Sequence, residues 1–265
     1  MRSTLMRKKY GFFDMHSHIL PDFDDGAESV EDSLALIDSL VKQGVTNICL
    51  TPHFYTNERS LEDFVTERNS AFSKFLPEIP EGVNVVLGSE VYVTPFLFNN
   101  TNLNDITYGK SRYILTEFSY SSSFKNKTMQ QIYMLIENFR VMPVIPHVER
   151  YETLMNKPEI IEELKSMGIL IQSNIGNYTE KASFFRKRKL LKFISGGLID
   201  ILGSDAHSFK HNTPEVFSEA YKTISTKCGS HSANLLMENA ERVFNAAIKG
   251  ESKISRNKFY SDLID

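Results

Sequence analysis

Histidines and acids recur directly after short apolar segments of this chain. His16 and His18 follow such a segment in "FFDMHSH", and the same placement holds for His53 in "TPHF", Glu90 in "GSEV", Glu117 in "LTEF", His147 in "IPHVER", and Asp205 with His207 in "GSDAH". Imidazole nitrogens and carboxylate oxygens are common ligands of divalent metals. The set contains five of the seven histidines in the chain. These residue types in this placement predict a site for more than one metal ion.

The first of these segments, "FFDMHSHILPDFDDGAES", has the highest density of candidate ligands. His16 and His18 are two residues apart, so on a strand both point to the same side and can bind one ion. Asp25, just before Gly26, is predicted to reach the same site from the following loop. Asp14 is a candidate for orienting a ligand histidine. The alternative for Asp14 is a buried acid bonded to the backbone.

Several of these residues also have a simpler interpretation. A lone His-x-His pair is weak evidence for a ligand pair, because two histidines can merely flank an edge strand. Glu117 could be a buried carboxylate paired with Arg112 or Arg150. Asp22 and Asp24 are interpreted as solvated loop acids or helix caps. The placement of ligand types after six separate strands, taken together, favours the metal site.

The apolar segments themselves predict a mainly parallel sheet. Most are continuous rather than alternating, which is typical of strands buried on both faces. Seven strands are predicted, near residues 11–15, 45–50, 83–88, 113–118, 142–146, 169–173 and 198–203. In such a sheet the candidate ligands all follow the carboxyl ends of strands.

Helical patterns lie between most of the predicted strands. Ser29 and Ser60 are candidate N-caps, and Gly44 suits the end of the first helix. Further helices are predicted near residues 126–140, 157–168, 180–195, 214–227 and 231–249. The alternation predicts a single α/β domain, a closed or nearly closed (β/α)7 barrel, with an open doubly wound sheet as the alternative. The irregular connections 94–112 and 119–127 are expected to line the substrate site of a barrel.

Composition narrows the class of protein. The chain has 265 residues, a formal charge of -3 and two cysteines. This charge gives no support to nucleic-acid binding, and two cysteines are too few for a disulfide framework. No window approaches the roughly 18 apolar residues of a membrane span, and the N-terminus has no apolar core of a signal peptide. We therefore expect a cytoplasmic protein with reduced cysteines.

In chain order, six segments resemble one known superfamily: "DMHSHILPDFDDGAES", "TPHF", "GSEVYVTP", "ILTEFS", "PVIPHVERY" and "GSDAHS". The superfamily is that of polymerase and histidinol phosphatase (PHP) proteins. The chain is most similar to its bacterial capsule and exopolysaccharide branch, the metal-dependent protein-tyrosine phosphatases, over about residues 11–215. The resemblance implies a distorted (β/α)7 barrel, the PHP fold, as a single domain over 11–265 after an N-terminal extension over 1–10. Its implied substrate is the phosphotyrosine-bearing tail of a membrane-associated tyrosine autokinase that regulates polysaccharide synthesis.

The resemblance also implies three divalent metal ions, manganese first, with iron, zinc, cobalt or magnesium as alternatives. Matching positions give one ion to His16, His18, Glu90 and Asp205; a second to Glu90, Glu117 and His147; and a third to Asp25, His53 and His207. Arg150 matches the family arginine that binds the substrate phosphate. His207 or Asp205 is expected to protonate the leaving phenolate.

One position departs from the family pattern. Asn212 stands where a second phosphate-binding arginine is expected, so Lys210 or His211 would have to supply the positive charge. A point charge is a poorer phosphate clamp than a planar guanidinium. Cysteine-based phosphatase chemistry is absent, because neither Cys49 nor Cys228 is followed six residues later by arginine. Metal-assisted hydrolysis is the remaining mechanism.

Two other functions compete with this prediction. One is a histidinol phosphatase or another small-molecule phosphomonoesterase; the other is a metal-binding regulatory partner of the kinase without turnover. We expect no nucleic-acid partner and no direct membrane insertion, and an oligomer is possible. The basic segment 184–193, "FFRKRKLLKF", is interpreted as a solvated face. Its alternative is docking onto acidic kinase tails or an anionic membrane surface.

Overall fold

A computed structural model describes residues 11–250, and parallel strands form its centre. The strands are β1 (Phe12–Ser17), β2 (Val45–Leu50), β3 (His53–Tyr55), β4 (Asn84–Leu87), β5 (Glu90–Tyr92), β6 (Tyr113–Glu117), β7 (Met142–Ile145), β8 (Leu170–Asn174) and β9 (Ile201–Gly203). Their order is β1-β2-β4 in one sheet and β3-β5-β6-β7-β8-β9 in the other. The predicted extension 1–10 and the end of the predicted domain, 251–265, lie outside the described residues.

Two short strands follow the second and third of the seven predicted strands. The predicted strands 45–50 and 83–88 correspond to β2 and β4, and after breaks at Thr51 and Pro52 and at Gly88 and Ser89 the chain continues as β3 and β5. Proline has no N–H for the sheet ladder, and glycine weakens a strand interior. After both breaks the neighbours stay paired, since β2 pairs with β4 and β3 pairs with β5. The α/β barrel prediction is confirmed, with two short strands besides the seven predicted.

Backbone hydrogen bonds join the last strand to the first. The Asp205 N–H donates to the His16 carbonyl at 2.7 Å, and the His18 N–H donates to the Ala206 carbonyl at 2.9 Å. Gly203 lies against β1 at this point, where an added Cβ would be 2.5 Å from the Cβ of His16. Only glycine admits this approach. The join lies at the carboxyl ends of the strands, among the candidate ligands.

The helices pack around the strands. They are α1 (Val30–Lys42), α2 (Leu61–Phe75), α3 (Lys127–Glu137), α4 (Glu152–Asn156), α5 (Pro158–Ser166), α6 (Phe184–Ser195) and α7 (Phe217–Lys249). The predicted caps are confirmed, because the Ser29 and Ser60 hydroxyls accept from the N–H groups of Asp32 and Asp63, both at 3.1 Å. The last two predicted helices are both present within α7 and meet at Gly229, where φ of 88° and ψ of 154° are not helical.

Apolar side chains of the strands fill the interior. Leu50, Ile114, Val144 and Ile171 are fully or almost fully buried. At the other end of the strands α7 closes the core, with the Phe244 ring 5.5 Å from that of Phe13. Within residues 11–250 no helix is long and apolar enough to cross a bilayer. The carboxyl ends of the strands are the end at which the candidate ligands lie.

Candidate metal centre

The structure brings all nine predicted metal ligands to one end of the barrel. His16 lies within β1 and Glu117 ends β6, Asp25 comes from the loop after β1, and the others begin or closely follow a strand. Eight are buried or nearly so, whereas the Asp25 side chain is 68% exposed. Among the described residues, three groups of these side chains have ligand atoms within 4.8 Å of one another. The groups share His18, His53 and Glu90, so they form one continuous centre.

The first group is His16, His18, Glu90 and Asp205. The two Nε2 atoms of the histidines lie 3.1 Å apart, and Glu90 Oε2 lies 3.0 Å from one and 3.2 Å from the other. Asp205 Oδ1 is 3.4 Å from both. Ligands that bind one ion tetrahedrally at about 2.0–2.1 Å are about 3.3–3.4 Å apart. The four atoms therefore fit the shell of one divalent ion.

The second group is His53, Glu90 and Glu117. His147, which the sequence assigns to this ion, is in none of the three groups, although its Nε2 lies 2.7 Å from Glu90 Oε1 and 3.8 Å from Glu117 Oε1. The His53 Nδ1 is buried and 3.2 Å from Glu90 Oε2, yet it has no hydrogen-bond partner among the described residues. A buried nitrogen of this kind beside a carboxylate suits metal binding.

The third group lies at the opening of the barrel. Asp25 Oδ1 is 3.6 Å from His53 Nε2 and 3.5 Å from His207 Nε2, and His18 completes the group. The exposure of Asp25 makes this the side of the centre that faces solvent. A ligand entering from solvent would meet this group first.

The side chains shift one another's protonation. Burial opposes the charge of Glu90, but the adjacent His16, His147 and His18 hold its pKa well below the usual value. Burial and the charge of His18 lower the pKa of His207 to about 4. Burial likewise lowers the pKa of His53. Burial opposes the charge of His16 and His18 as well, but Glu90 raises the pKa of His16 and Asp24 that of His18. Metals bind ionised carboxylates and neutral imidazoles, so an ion bound here would replace these protons.

Two of the candidate ligands have an unusual backbone. His147 and Asp205 have φ values of 34° and 55°, in the left-handed region that non-glycine residues rarely adopt. Such a conformation costs about 1–3 kcal/mol and is found preferentially at functional sites. Each residue lies two positions after the end of a strand, and the turn directs each side chain towards the centre.

The prediction that Asp24 is a solvated acid is wrong. Its carboxylate lies 2.7 Å from His18 Nδ1 and accepts from the His53 N–H at 2.9 Å. The loop folds back onto β1, and a Cβ at Gly26 would lie 2.0 Å from the His18 carbonyl oxygen. Burial opposes ionisation, but His18 lowers the pKa of Asp24 to about 2. Asp24 therefore orients two candidate ligands, whereas Asp22 is exposed as predicted.

Asp14 does not orient a histidine ring; it is a buried acid, the alternative interpretation. It accepts from the Ser204 N–H at 2.7 Å and from the Ser204 hydroxyl at 2.5 Å, so it fixes the turn before Asp205. Burial raises its pKa to about 6. The partner of the His16 ring is Gln172, with Oε1 3.3 Å from Nδ1. Sequence reasoning missed Gln172, although a polar residue inside an apolar strand was a usable signal.

Arg150 lies beside the centre, as its predicted role requires. Its Nη2 donates to Asp205 Oδ2 at 2.7 Å and its Nη1 to the Tyr120 hydroxyl at 3.1 Å. Tyr120, which sequence reasoning missed, donates in turn to Glu117. Burial opposes the charge of Arg150, but Asp205 raises its pKa. The guanidinium is 35% exposed, which leaves it able to meet a ligand.

A second phosphate-binding arginine is expected at position 212. The structure places the three residues there, Lys210, His211 and Asn212, in different surroundings. Asn212 donates to Asp205 Oδ2 at 2.9 Å, beside Asn174, which donates to the same oxygen at 2.7 Å. The His211 ring is 5.1 Å from the His207 ring. Lys210 is exposed. Asn212 thus contacts a candidate metal ligand rather than standing free to bind phosphate.

A family profile and individual relatives match most of this chain. The profile of a family described as "Capsular polysaccharide synthesis, CpsB/CapC" matches residues 12–245. The tyrosine-protein phosphatase CpsB of Streptococcus agalactiae serotype III is 32% identical over 245 residues, 87% of this chain and 97% of that protein.

One solved structure is similar to this chain in sequence and in fold, and another is similar in fold alone. One from a study of YwqE from Bacillus subtilis and CpsB from Streptococcus pneumoniae, described as unique metal-dependent tyrosine phosphatases, has a TM-score of 0.70 and 27% identity. It covers 88% of this chain and 94% of that chain. The phosphotriesterase homology protein of Escherichia coli has a TM-score of 0.57, 14% identity and coverage of 89% and 99%, and supports the barrel fold alone.

Proposed function

The chain belongs to the CpsB/CapC family of capsular polysaccharide synthesis proteins, as the sequence resemblance predicts, and we propose that it is a metal-dependent phosphatase acting on phosphotyrosine in proteins. One observation supports this function above the others. Nine candidate carboxylate and imidazole ligands lie at the open end of the barrel, and an arginine lies beside them. Relatives that match most of the chain are named tyrosine-protein phosphatases.

We propose three divalent ions, manganese first, with the ligands expected from the sequence. The first is assigned to His16, His18, Glu90 and Asp205; the second to Glu90, Glu117 and His147; and the third to Asp25, His53 and His207. The donor sets match these ions, since imidazole and carboxylate both bind manganese, iron and zinc. When bound, the ions supply the Lewis acidity that activates water and neutralises charge on the phosphate.

Arg150 is proposed to bind the phosphate. Its guanidinium can turn from Asp205 towards a phosphate at the opening, and planar guanidinium groups bind phosphate oxygens in pairs. Fixed positive charge at this point also stabilises the charge that develops in the transition state. Lys210 and His211 are retained as additional substrate contacts from the sequence, with His211 the nearer to the centre.

The surroundings of the opening suit an aromatic substrate. The Tyr55 ring stacks on the His53 ring at 5.0 Å, and the Tyr120 ring meets the His147 ring edge-on at 5.9 Å. Both tyrosines are exposed in part. Aromatic rings favour stacked or edge-on partners, so the phenyl group of phosphotyrosine would find a partner beside the phosphate site.

The hydrogen bonds of Asp205 bear on the proton donor. Oδ2 accepts from Arg150, Asn174 and Asn212, and Oδ1 faces His16 and His18. Both oxygens are therefore committed as acceptors. His207 is neutral at neutral pH, because burial and His18 lower its pKa to about 4, and its Nε2 is assigned to the third ion, so neither candidate has a proton free for the leaving phenolate.

The proposed protein substrate is the phosphotyrosine-bearing tail of a tyrosine kinase that regulates polysaccharide synthesis. The family description places these proteins in capsule synthesis, and a tyrosine phosphatase there requires a tyrosine kinase to make its substrate. A membrane-associated kinase and a cytoplasmic location for this chain remain parts of the proposal.

Hydrolysis assays test the function directly. The purified chain is compared on a phosphotyrosine peptide and on histidinol phosphate, with manganese and with EDTA. We expect manganese-dependent release of phosphate from the peptide, abolished by EDTA and by His16→Ala. Activity that survives EDTA would contradict the metal mechanism. Activity on histidinol phosphate alone would make the protein a small-molecule phosphatase, and metal binding without turnover would favour a regulatory role.

A further inference from the structure

Helix α6 and the residues just before it carry a patch that the metal centre does not use. We name it the basic aromatic patch: Lys181, Phe184, Phe185, Arg186, Arg188 and Lys192. Phe184 and Phe185 are 65% and 82% exposed, and their rings meet edge-on at 5.6 Å. The opposite face of the helix packs into the core through Leu190, Phe193 and Ile194. The two exposed rings are thus not part of the core that holds the helix.

The charge of this segment is concentrated and uncompensated. Residues 181–192 include six Lys or Arg and no Asp or Glu, in a chain of net charge -3. Lys187 donates to the Thr179 carbonyl at 2.8 Å and Lys189 to Asn156 Oδ1 at 3.1 Å, both neutral acceptors. Within residues 11–250, Arg186, Arg188 and Lys192 have no carboxylate partner. The patch therefore presents a strong local positive field.

The patch lies on the same side of the barrel as the metal centre. Strand β8 ends at Asn174, which donates to Asp205 in the centre. After a short turn, α6 begins at Phe184 and runs back along the sheet to β9, as helices between parallel strands do. Its N-terminus, with both exposed phenylalanines, is therefore at the carboxyl ends of the strands.

We propose that the basic aromatic patch binds the surface of an anionic phospholipid bilayer, with the metal centre facing the membrane. Lysine and arginine near such a surface are attracted to the headgroups, and aromatic side chains enter the interfacial layer. Charge alone would hold a flexible acidic peptide. The two adjacent protruding phenylalanines therefore suit a bilayer better than such a peptide. A shallow groove of about 460 Å³ between α6 and Lys227 of α7, lined also by Arg188 and Lys192, offers space for a headgroup phosphate.

Sedimentation with vesicles tests this surface. The full chain is mixed with vesicles of phosphatidylcholine, or of phosphatidylcholine with 30% phosphatidylglycerol. We expect binding only to the second, weakened by added salt. Since each basic residue near the surface contributes roughly a fivefold factor in affinity, Arg188→Glu with Lys192→Glu should weaken binding at least about 25-fold. Phe184→Ser with Phe185→Ser should also weaken it. Lys74→Glu with Lys249→Glu changes net charge equally, outside the patch, and should bind almost as the wild type does.

Other results would overturn the proposal. These are equal binding to both kinds of vesicle, or binding unchanged by Arg188→Glu with Lys192→Glu. Failure to bind vesicles while a Glu-Tyr copolymer is held through the same residues would identify an acidic polypeptide as the partner. Light scattering that shows a dimer lost in the phenylalanine variant, without vesicle binding, would identify a second copy. Hydrolysis of a soluble phosphotyrosine peptide should stay unchanged in all variants, which separates this proposal from the phosphatase function.

Discussion

Two buried polar clusters lie within a few residues of each other in this barrel, and they differ in how their polar atoms are satisfied. In the Arg68 cluster, Nη1 of Arg68 donates to the Gly88 carbonyl at 3.0 Å and to the Ser89 hydroxyl at 2.6 Å, while Nη2 donates to the Asp105 carbonyl at 2.6 Å. The metal centre includes Glu90, the residue after Ser89. In it, the Nε2 atoms of His16 and His18 face one another at 3.1 Å. One cluster is complete within the chain, and the other is not.

The difference separates a structural role from a binding role. Burial lowers the pKa of Arg68 to about 10, an effect that the charge of Asp105 opposes, so the guanidinium stays charged at neutral pH. Two facing imidazole nitrogens satisfy each other only if one carries a proton, and the nearby carboxylates compete for it. A buried polar cluster is costly unless its members are satisfied. The metal centre is thus arranged for cations that come from outside the chain.

The largest expected effect is that of Glu90→Gln. Glu90 contacts four histidines and links two proposed ion sites. We expect kcat/KM on a phosphotyrosine peptide to fall by about 1000-fold or more, because several kcal/mol of charge stabilisation are lost. Manganese should also no longer raise the melting temperature. The exposed Glu81→Gln is the control, and near-wild-type activity of Glu90→Gln would show that the ion sites are independent.

Arg68→Met should affect stability rather than chemistry. The change leaves two buried carbonyls and a hydroxyl without their donor, and we expect a loss of about 3–5 kcal/mol in the free energy of unfolding. Urea unfolding measures it. Arg59→Met, at an exposed arginine paired with Glu67 at 2.8 Å, should cost less than about 1 kcal/mol. The comparison of the two clusters fails if Arg68→Met unfolds as the wild type does.

Asp24→Asn should weaken metal binding without unfolding the protein. The change removes the carboxylate charge beside His18, and loss of such a partner typically costs about 10–100-fold in metal affinity. Manganese titration followed by calorimetry measures the change. Asp22→Asn, two residues away and exposed, is the matched control. Equal affinities for the two variants would place Asp24 among the purely structural acids.

Asn212→Ala should have the smallest effect of the four. It removes one of three hydrogen bonds to Asp205 Oδ2, and the other two remain. We expect kcat/KM to fall about tenfold, in line with one hydrogen bond to a charged group. A steady-state assay at saturating manganese measures it. If activity rises instead, Asn212 restrains Arg150 or Asp205 rather than supporting them.

The sequence predicted most of the fold and nearly all of the residues gathered at the centre. Buried parallel strands are continuous apolar segments, and ligand types at their ends are visible by inspection. The sequence could not predict the contacts that depend on the path of the loops. Asp24 and Asp22 are two residues apart in one acidic loop, and only the turn at Gly26 decides which of them reaches His18.

Contacts between residues far apart in the sequence could not be predicted either. Asp14 and Ser204 are 190 positions apart and meet only because β9 lies against β1. Tyr120 stands in an irregular connection whose course follows from tertiary packing rather than from local pattern. The short strands β3 and β5 were missed because Pro52 and Gly88 end the apolar segments that precede them.

The join between β1 and the segment after β9 has a consequence for biosynthesis. A ribosome adds about 5–20 residues per second, so His16 and His18 are made many seconds before Asp205 and His207. Contacts so distant in sequence also form slowly during folding. A nascent chain can already contain the first four histidine and glutamate ligands, which are His16, His18, His53 and Glu90. It cannot enclose an ion until the last strand has emerged from the ribosome. Metal loading is therefore expected after translation, as the final step of maturation.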